Sequence, residues 1–194
     1  PMILPIVAYG DPVLREKCKE ITNDYPDLEQ LLKDMFETLY ESQGVGLAAP
    51  QIGRAIRLFI VDTAPFADDE DLGNEEVANF KKIFINATMI DETGEEWKFN
   101  EGCLSIPRIR EDVSRHSNIE IEYYDEKFEL KREKYSGIIA RVIQHEYDHI
   151  EGKLFTDYLS PFKKKLLQKK LTNISKGIVS VDYRMRFPLV KGKH

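Results

Sequence analysis

The sequence predicts an α+β fold with mostly antiparallel sheets. Candidate strands cluster ahead of one histidine-bearing helix, without the regular strand–helix alternation of a parallel sheet. Residues 119–124 and 128–134 alternate in polarity about Asp125-Glu126-Lys127, as an antiparallel hairpin does. The chain has 194 residues, 42% of them hydrophobic, which suffices for one packed core. Residues 1–194 are therefore expected to form a single domain. An acidic loop insert is expected at about 64–80, and a variable C-terminal tail from about 174.

Residues 27–43 are expected to form the first helix. Leu28, Leu31, Leu32, Met35, Phe36, Leu39 and Tyr40 make one apolar stripe, with Pro26 at its start and Gly44 past its end. Residues 57–62 (RLFIVD) and 82–90 (KIFINATMI) read as strands, rich in β-branched and aromatic side chains. Between them, residues 64–80 carry Asp68, Asp69, Glu70, Asp71, Glu75 and Glu76 and read as a solvated surface loop. Residues 136–151 form the next expected helix, closed by Gly152. Ser160-Pro161 opens another, with Ser at the cap and Pro at the first position. Its lysines, Lys163, Lys164, Lys165, Lys169 and Lys170, read as a solvated face. Residues 178–183 read as a last strand.

Composition excludes several classes of function. A net charge of −6 argues against a dedicated nucleic-acid binder. No apolar run approaches the roughly 20 residues that span a bilayer, so no membrane association is expected. Met2, after Pro1, is read as the natural start, with no basic-then-apolar leader behind it. The two cysteines, Cys18 and Cys103, are too few for a disulfide scaffold and fit a reducing cytoplasm.

Gln144-His145-Glu146-Tyr147-Asp148-His149 is the most informative stretch. On a helix, positions i and i+4 share a face, so His145 and His149 can direct both imidazoles at one ion. Glu146 lies about 100° round the helix from His145, where it suits a base rather than a ligand. Ile138, Ile139, Val142, Ile143 and Tyr147 leave little polar face, so this helix is expected to be buried. Buried histidines need partners, and a shared metal supplies one.

The third ligand is the open question. In the extended form HExxHxxGxxH the last position here is Phe155, which cannot bind a metal, and no glutamate follows Glu151. The ligand is therefore expected upstream, at Cys103 in Glu101-Gly102-Cys103-Leu104-Ser105, where glycine permits close backbone approach. One thiolate and two imidazoles leave a fourth position open, as in catalytic sites. Gly44, Val45 and Gly46 open a loop of small residues that lets backbone come close to another group. Gln51 at its end can present an amide donor to a developing oxyanion.

Together, GVGLAAPQ (44–51), EGCLS (101–105) and QHEYDH (144–149) resemble the three signature motifs of the peptide deformylases, and the resemblance covers about residues 11–161. It implies the α+β deformylase fold, with the HExxH helix central among antiparallel sheets. It implies one divalent ion, Fe(II) natively, with Zn(II), Ni(II) or Co(II) as substitutes. The implied ligands are Cys103, His145 and His149, and the implied base is Glu146. The implied oxyanion donors are the Gln51 side chain and the Leu104 backbone N–H, with Glu101 behind the ligands. The implied substrate is the N-formyl-methionine end of a nascent polypeptide, handled in the cytoplasm with transient ribosome contact. Ile138, Arg141 and Val142, one turn or more before His145, face the same cavity on this reading. Ile138 and Val142 are expected to line a methionine pocket, and the Arg141 head to reach water. Two other functions stay open: a broader metallopeptidase, and a structural metal site completed by His116 or Asp148.

Overall fold

The computed structural model describes residues 2–190, so the reading of Pro1 and the last residues of the tail lie outside it. In chain order the elements are β1 (Ile6–Val7), α1 (Leu28–Glu41), β2 (Gly46–Ala48), β3 (Leu58–Asp62), α2 (Glu75–Ala78), β4 (Lys81–Cys103), β5 (Ile106–Tyr124), β6 (Leu130–Ser136), α3 (Gly137–Ile150), α4 (Pro161–Ser175) and β7 (Met185–Arg186). The sheet β2-β3-β4-β5-β6 is antiparallel throughout. β1 and β7 pair separately, in parallel. The expected α+β architecture is thus the one observed.

β3 explains the layering. Successive side chains of a strand point to opposite faces. Phe59 and Val61 face the core that contains Ile139, Val142 and Ile143 of α3. Leu58 and Ile60 face the core that contains Leu31, Leu32, Met35 and Leu39 of α1. A strand covered on both faces must be apolar at every position, which is why 58–61 reads LFIV. Burying each such side chain is worth about 1.5–3 kcal/mol, so both helices are held firmly. α3, with eleven of its fourteen residues buried, is enclosed as its composition predicts. A third cluster joins Leu167, Leu171 and Ile174 of α4 to Ile106, Ile109 and Phe155.

Several elements differ from expectation. Asp27, at φ 56°, caps α1 without a side-chain bond, so Pro26 stands before the helix rather than within it. Gln43, at φ 59°, rather than Gly44, takes the left-handed position after it. Strands β4 and β5 run far beyond their expected bounds, to 23 and 19 residues. The added length of β4 begins with the exposed, charged stretch 91–96, and bulges near residues 85–88, 89–91 and 93–96 interrupt the side-chain alternation there. Residues 178–183 form no strand, because the edge of β1 meets Met185 and Arg186 instead.

The acidic insert is also more than a solvated loop. Its carboxylates are mostly exposed, yet Val77 and Phe80 are buried in the α3 core. Phe66 packs edge-on against Phe99 of β4, with ring centroids 6.2 Å apart.

Candidate metal centre

Cys103 ends β4, and a two-residue turn, Leu104-Ser105, leads into β5. That turn carries the cysteine to α3, where His145 and His149 share a face. One donor atom from each of the three residues lies within 4.8 Å of the others. Cys103 Sγ is 3.4 Å from His149 Nε2, and the two imidazole centroids are 5.2 Å apart. His145 Nδ1 is engaged by Glu101 Oε1 at 2.9 Å, which leaves Nε2 facing the other donors. Phe155, where the extended motif would have a third histidine, stacks on His145 at 6.1 Å.

Glu101 is the hub behind this group. It also accepts from Arg115 at 2.7 and 3.0 Å and from Arg141 at 2.7 Å. Burial alone would raise its pKa, but the bonds from His145 and Arg115 outweigh that and hold its carboxyl well below the usual range. An ionised carboxylate only accepts, so His145 Nδ1 must be the donor. Arg115 extends the network to Asp148, which also accepts from Tyr158. Asp148 is thereby turned away from the donor group. His116 is half-buried on β5 with Nδ1 3.1 Å from Gly94 O, and neither residue belongs to the convergent donor group.

Glu146 is 4% exposed, and its Oε1 has no hydrogen-bond partner. Burial pushes its pKa up to about 7, only partly offset by the positive charge of His145. The loop over it explains a glycine. A Cβ on Gly46 would lie 2.6 Å from Glu146 Oε2, so only glycine leaves that carboxylate its place. Gly44 is confined likewise by the Leu104 and Leu39 side chains. Both effects are steric; neither glycine has a positive φ.

Gln51 is buried beside the cysteine. Its Oε1 accepts from Ala48 N at 3.0 Å, and its Nε2 donates to Ser105 Oγ at 3.2 Å and to Cys103 Sγ at 3.5 Å. The amide is thus oriented, with its donor end towards the turn at Leu104.

A cavity of about 560 Å³ opens onto these groups. Gly44, Val45, Gly46, Gln51, Cys103, Leu104, Arg141, Val142, His145 and Glu146 all line it. Two expectations need correction. Ile138 is absent from this wall: it is 5% exposed, packs in the α3 core and borders a different cavity. Arg141 does not send its head to water, being 2% exposed. Its two terminal nitrogens donate to Glu101, Val113 O and Trp97 O, and the guanidinium lies 4.6 Å from the Trp97 ring centroid. Buried charges need such partners, and β4 and β5 supply them. The sequence reading also missed Arg115, Phe66, Phe99 and the tail residues Val181, Asp182 and Tyr183, which share the cavity or support it. None of these left a trace in the linear pattern, because Arg115 lies in the part of β5 that the sequence reading did not reach and the others meet the site through long-range contacts.

The donor set fits a divalent ion. One thiol and two imidazoles are donors that such an ion takes, and Glu146, with an unpartnered oxygen, lines the same cavity as Cys103 and His145. Such a group can hold a metal and move a proton at one spot.

Comparison with known proteins places the whole chain. The family described as polypeptide deformylase matches residues 3–165. The peptide deformylase of Christiangramia forsetii is 60% identical over 193 residues, covering 98% of each chain. That of Flavobacterium psychrophilum is 63% identical over 188 residues, covering 95% of this chain and 97% of its own. The crystal structure of a Legionella pneumophila peptide deformylase superposes with a TM-score of 0.77 at 33% identity, covering 91% of this chain and 97% of that one. With the match spanning most of its length and identity at this level, the chain belongs to the polypeptide deformylase family.

Proposed function

We propose that Cys103, His145 and His149 hold one divalent ion and that Glu146 is the general base of a deformylation reaction. As in its family, the chain is a metal-dependent hydrolase that removes the formyl group from the N-terminal formyl-methionine of newly synthesised polypeptides, releasing formate. The single observation that supports the residue assignment is the buried, unpartnered Glu146 Oε1 on the helix that carries two of the three convergent donors.

When bound, such an ion supplies Lewis acidity, bringing a water ligand towards a neutral pKa and polarising a carbonyl. The chain's own residues do the rest. Glu146 takes a proton from the attacking water and returns it to the leaving amine. Gln51 Nε2 and the Leu104 N–H are assigned as donors to the formyl oxygen as it gains charge; one such donor is typically worth about 2.7–4 kcal/mol. Gly44, Val45 and Gly46 present backbone to the peptide, and Val142 lines the wall for its first side chain.

Fe(II) is proposed as the native ion, with Zn(II), Ni(II) or Co(II) as substitutes. Fe(II) beside a thiolate invites oxidation of metal and sulfur, so the iron form should lose activity in air faster than the nickel form. The proposed place of action is the cytoplasm, on chains leaving the ribosome; no helix among the described residues is long and apolar enough to cross a membrane.

Anaerobic purification with metal analysis and a formate-release assay on formyl-Met-Ala-Ser tests the assignment. One equivalent of metal and formate release are expected. Cys103→Ala should lose nearly all metal, while Cys18→Ala keeps it. Glu146→Gln should keep metal and lose activity by about 10²–10⁴-fold. Full metal in Cys103→Ala, or near-normal turnover in Glu146→Gln, would overturn it.

A further inference from the structure

We propose that the C-terminal segment 181–183 is a working wall of this site and that Tyr183 is a positioning residue for the turn at Leu104. The inference rests on the assignment of the Leu104 N–H as an oxyanion donor. Val181, Asp182 and Tyr183 line the same cavity as Cys103 and Glu146. They lie beyond residues 3–165, so the matched motifs do not account for them.

The segment is tied to the site at two points. Tyr183 Oη donates to Leu104 O at 2.7 Å, across 79 residues of sequence. Arg108 Nε donates to Ser180 O at 2.8 Å. Arg108 has a φ of 67°, an unfavourable value for a long side chain, just after the same turn. The pairing of β7 with β1 then fixes the tail two residues further on, through Ile6 with Met185. The tail is therefore clamped on both sides of residues 181–183.

The turn needs such support. It has only two residues, Leu104 and Ser105, between β4 and β5, and the ladder shifts register beside it at Gly102 and Cys103. Gln51 restrains it from one side through Ser105 Oγ. Tyr183 restrains it from the other through the Leu104 carbonyl. That carbonyl lies in the peptide plane shared with Ser105, so fixing it restrains the Leu104 torsions and, through its Cα, the preceding plane that carries the Leu104 N–H. A donor that points correctly before charge develops costs no reorganisation during reaction. The phenol hydroxyl acts on the transition state through Leu104 and touches no reacting atom.

The test compares Tyr183→Phe with Arg184→Ala. The first keeps the ring and removes one hydrogen bond. The second removes a tail tether, Arg184 to Ile3 O, that does not touch the turn. In Tyr183→Phe, kcat for formyl-Met-Ala-Ser should fall roughly 2- to 10-fold, with KM changed less than about twofold and metal content unaltered. Arg184→Ala should leave kcat unchanged. Amide hydrogen exchange at residues 104–106 should quicken in Tyr183→Phe and not in Arg184→Ala. Unchanged kcat in Tyr183→Phe, or an equal loss in Arg184→Ala, would overturn the positioning role. Unchanged exchange at 104–106 would overturn it as well, and that readout needs no turnover. Absence of formate release by the unmodified chain would instead sink the deformylase assignment, with the exchange comparison still deciding the Tyr183 contact.

Discussion

Glu101 Oε1 and His145 Nδ1 lie 2.9 Å apart, and the carboxylate that makes this contact is itself held by Arg115 and Arg141. The pair fixes the imidazole tautomer and aims Nε2 at Cys103 and His149. A charge-assisted bond to a metal-ligating ring raises its basicity as well as orienting it.

Glu101→Gln should therefore weaken metal binding about 10–100-fold. It should also destabilise the fold by about 3–5 kcal/mol, because Arg115 and Arg141 lose their buried counter-charge. Competition with a chelator reads the first effect and urea denaturation the second. Undiminished affinity would show that the ring is oriented by packing alone.

Gly46→Ala should leave metal content intact and damage turnover. Its Cβ would lie 2.6 Å from Glu146 Oε2 and 2.8 Å from Cδ, so the carboxylate must move. Misplacing a catalytic group by about 1 Å costs on the order of 10²-fold. Steady-state kinetics alongside metal analysis checks this; an unimpaired kcat would mean Glu146 has room the structure does not show.

Gln51→Ala should lower kcat more than it raises KM. An amide donor near the turn gains strength as negative charge builds on the substrate oxygen. The loss should be about 10²–10³-fold if the amide is an oxyanion donor. If KM rises with kcat constant, Gln51 is a ground-state contact only.

Asp157 makes a pH-dependent prediction away from the centre. Burial raises its pKa, but the bidentate bond to Arg15 at 2.7 and 3.1 Å and the Leu154 N–H outweigh that, so its carboxyl titrates below the usual range. A depressed acid stabilises the fold above its unfolded pKa, about 3.9, and ceases to as pH falls through the lower folded value. Both partners are partly exposed, so screening limits the effect. Asp157→Asn should cost about 1 kcal/mol or less at pH 7, and the difference should close as pH falls through the depressed folded value. Thermal melts of both forms across pH measure it; a constant difference would show that the charge is irrelevant.

The sequence alone determined the chemistry that the centre can hold. His145 and His149 lie four apart on one helix, so local geometry suffices to pair them, and Glu146 follows from the same rotation. Phe155 in place of a third histidine, and no glutamate after Glu151, pointed to Cys103, because donor chemistry is a property of residue types and their spacing. α1 and α3 were legible because a 3.6-residue period and an all-apolar helix report burial directly. Only tertiary structure decided what surrounds these groups. The fate of Arg141 depends on Glu101, Val113 and Trp97, which two other strands bring to it. The loss of Ile138 from the wall follows from how α3 is rotated in its core, a matter of packing against β3 to β5. The long β4–β5 ribbon starts in the exposed, charged stretch 91–96 and is interrupted by bulges, which break the period before Trp97 and Phe99 resume it. Tyr183 meets Leu104 because β7 finds the edge of β1, and a contact spanning 79 residues is set by chain topology rather than by any local pattern.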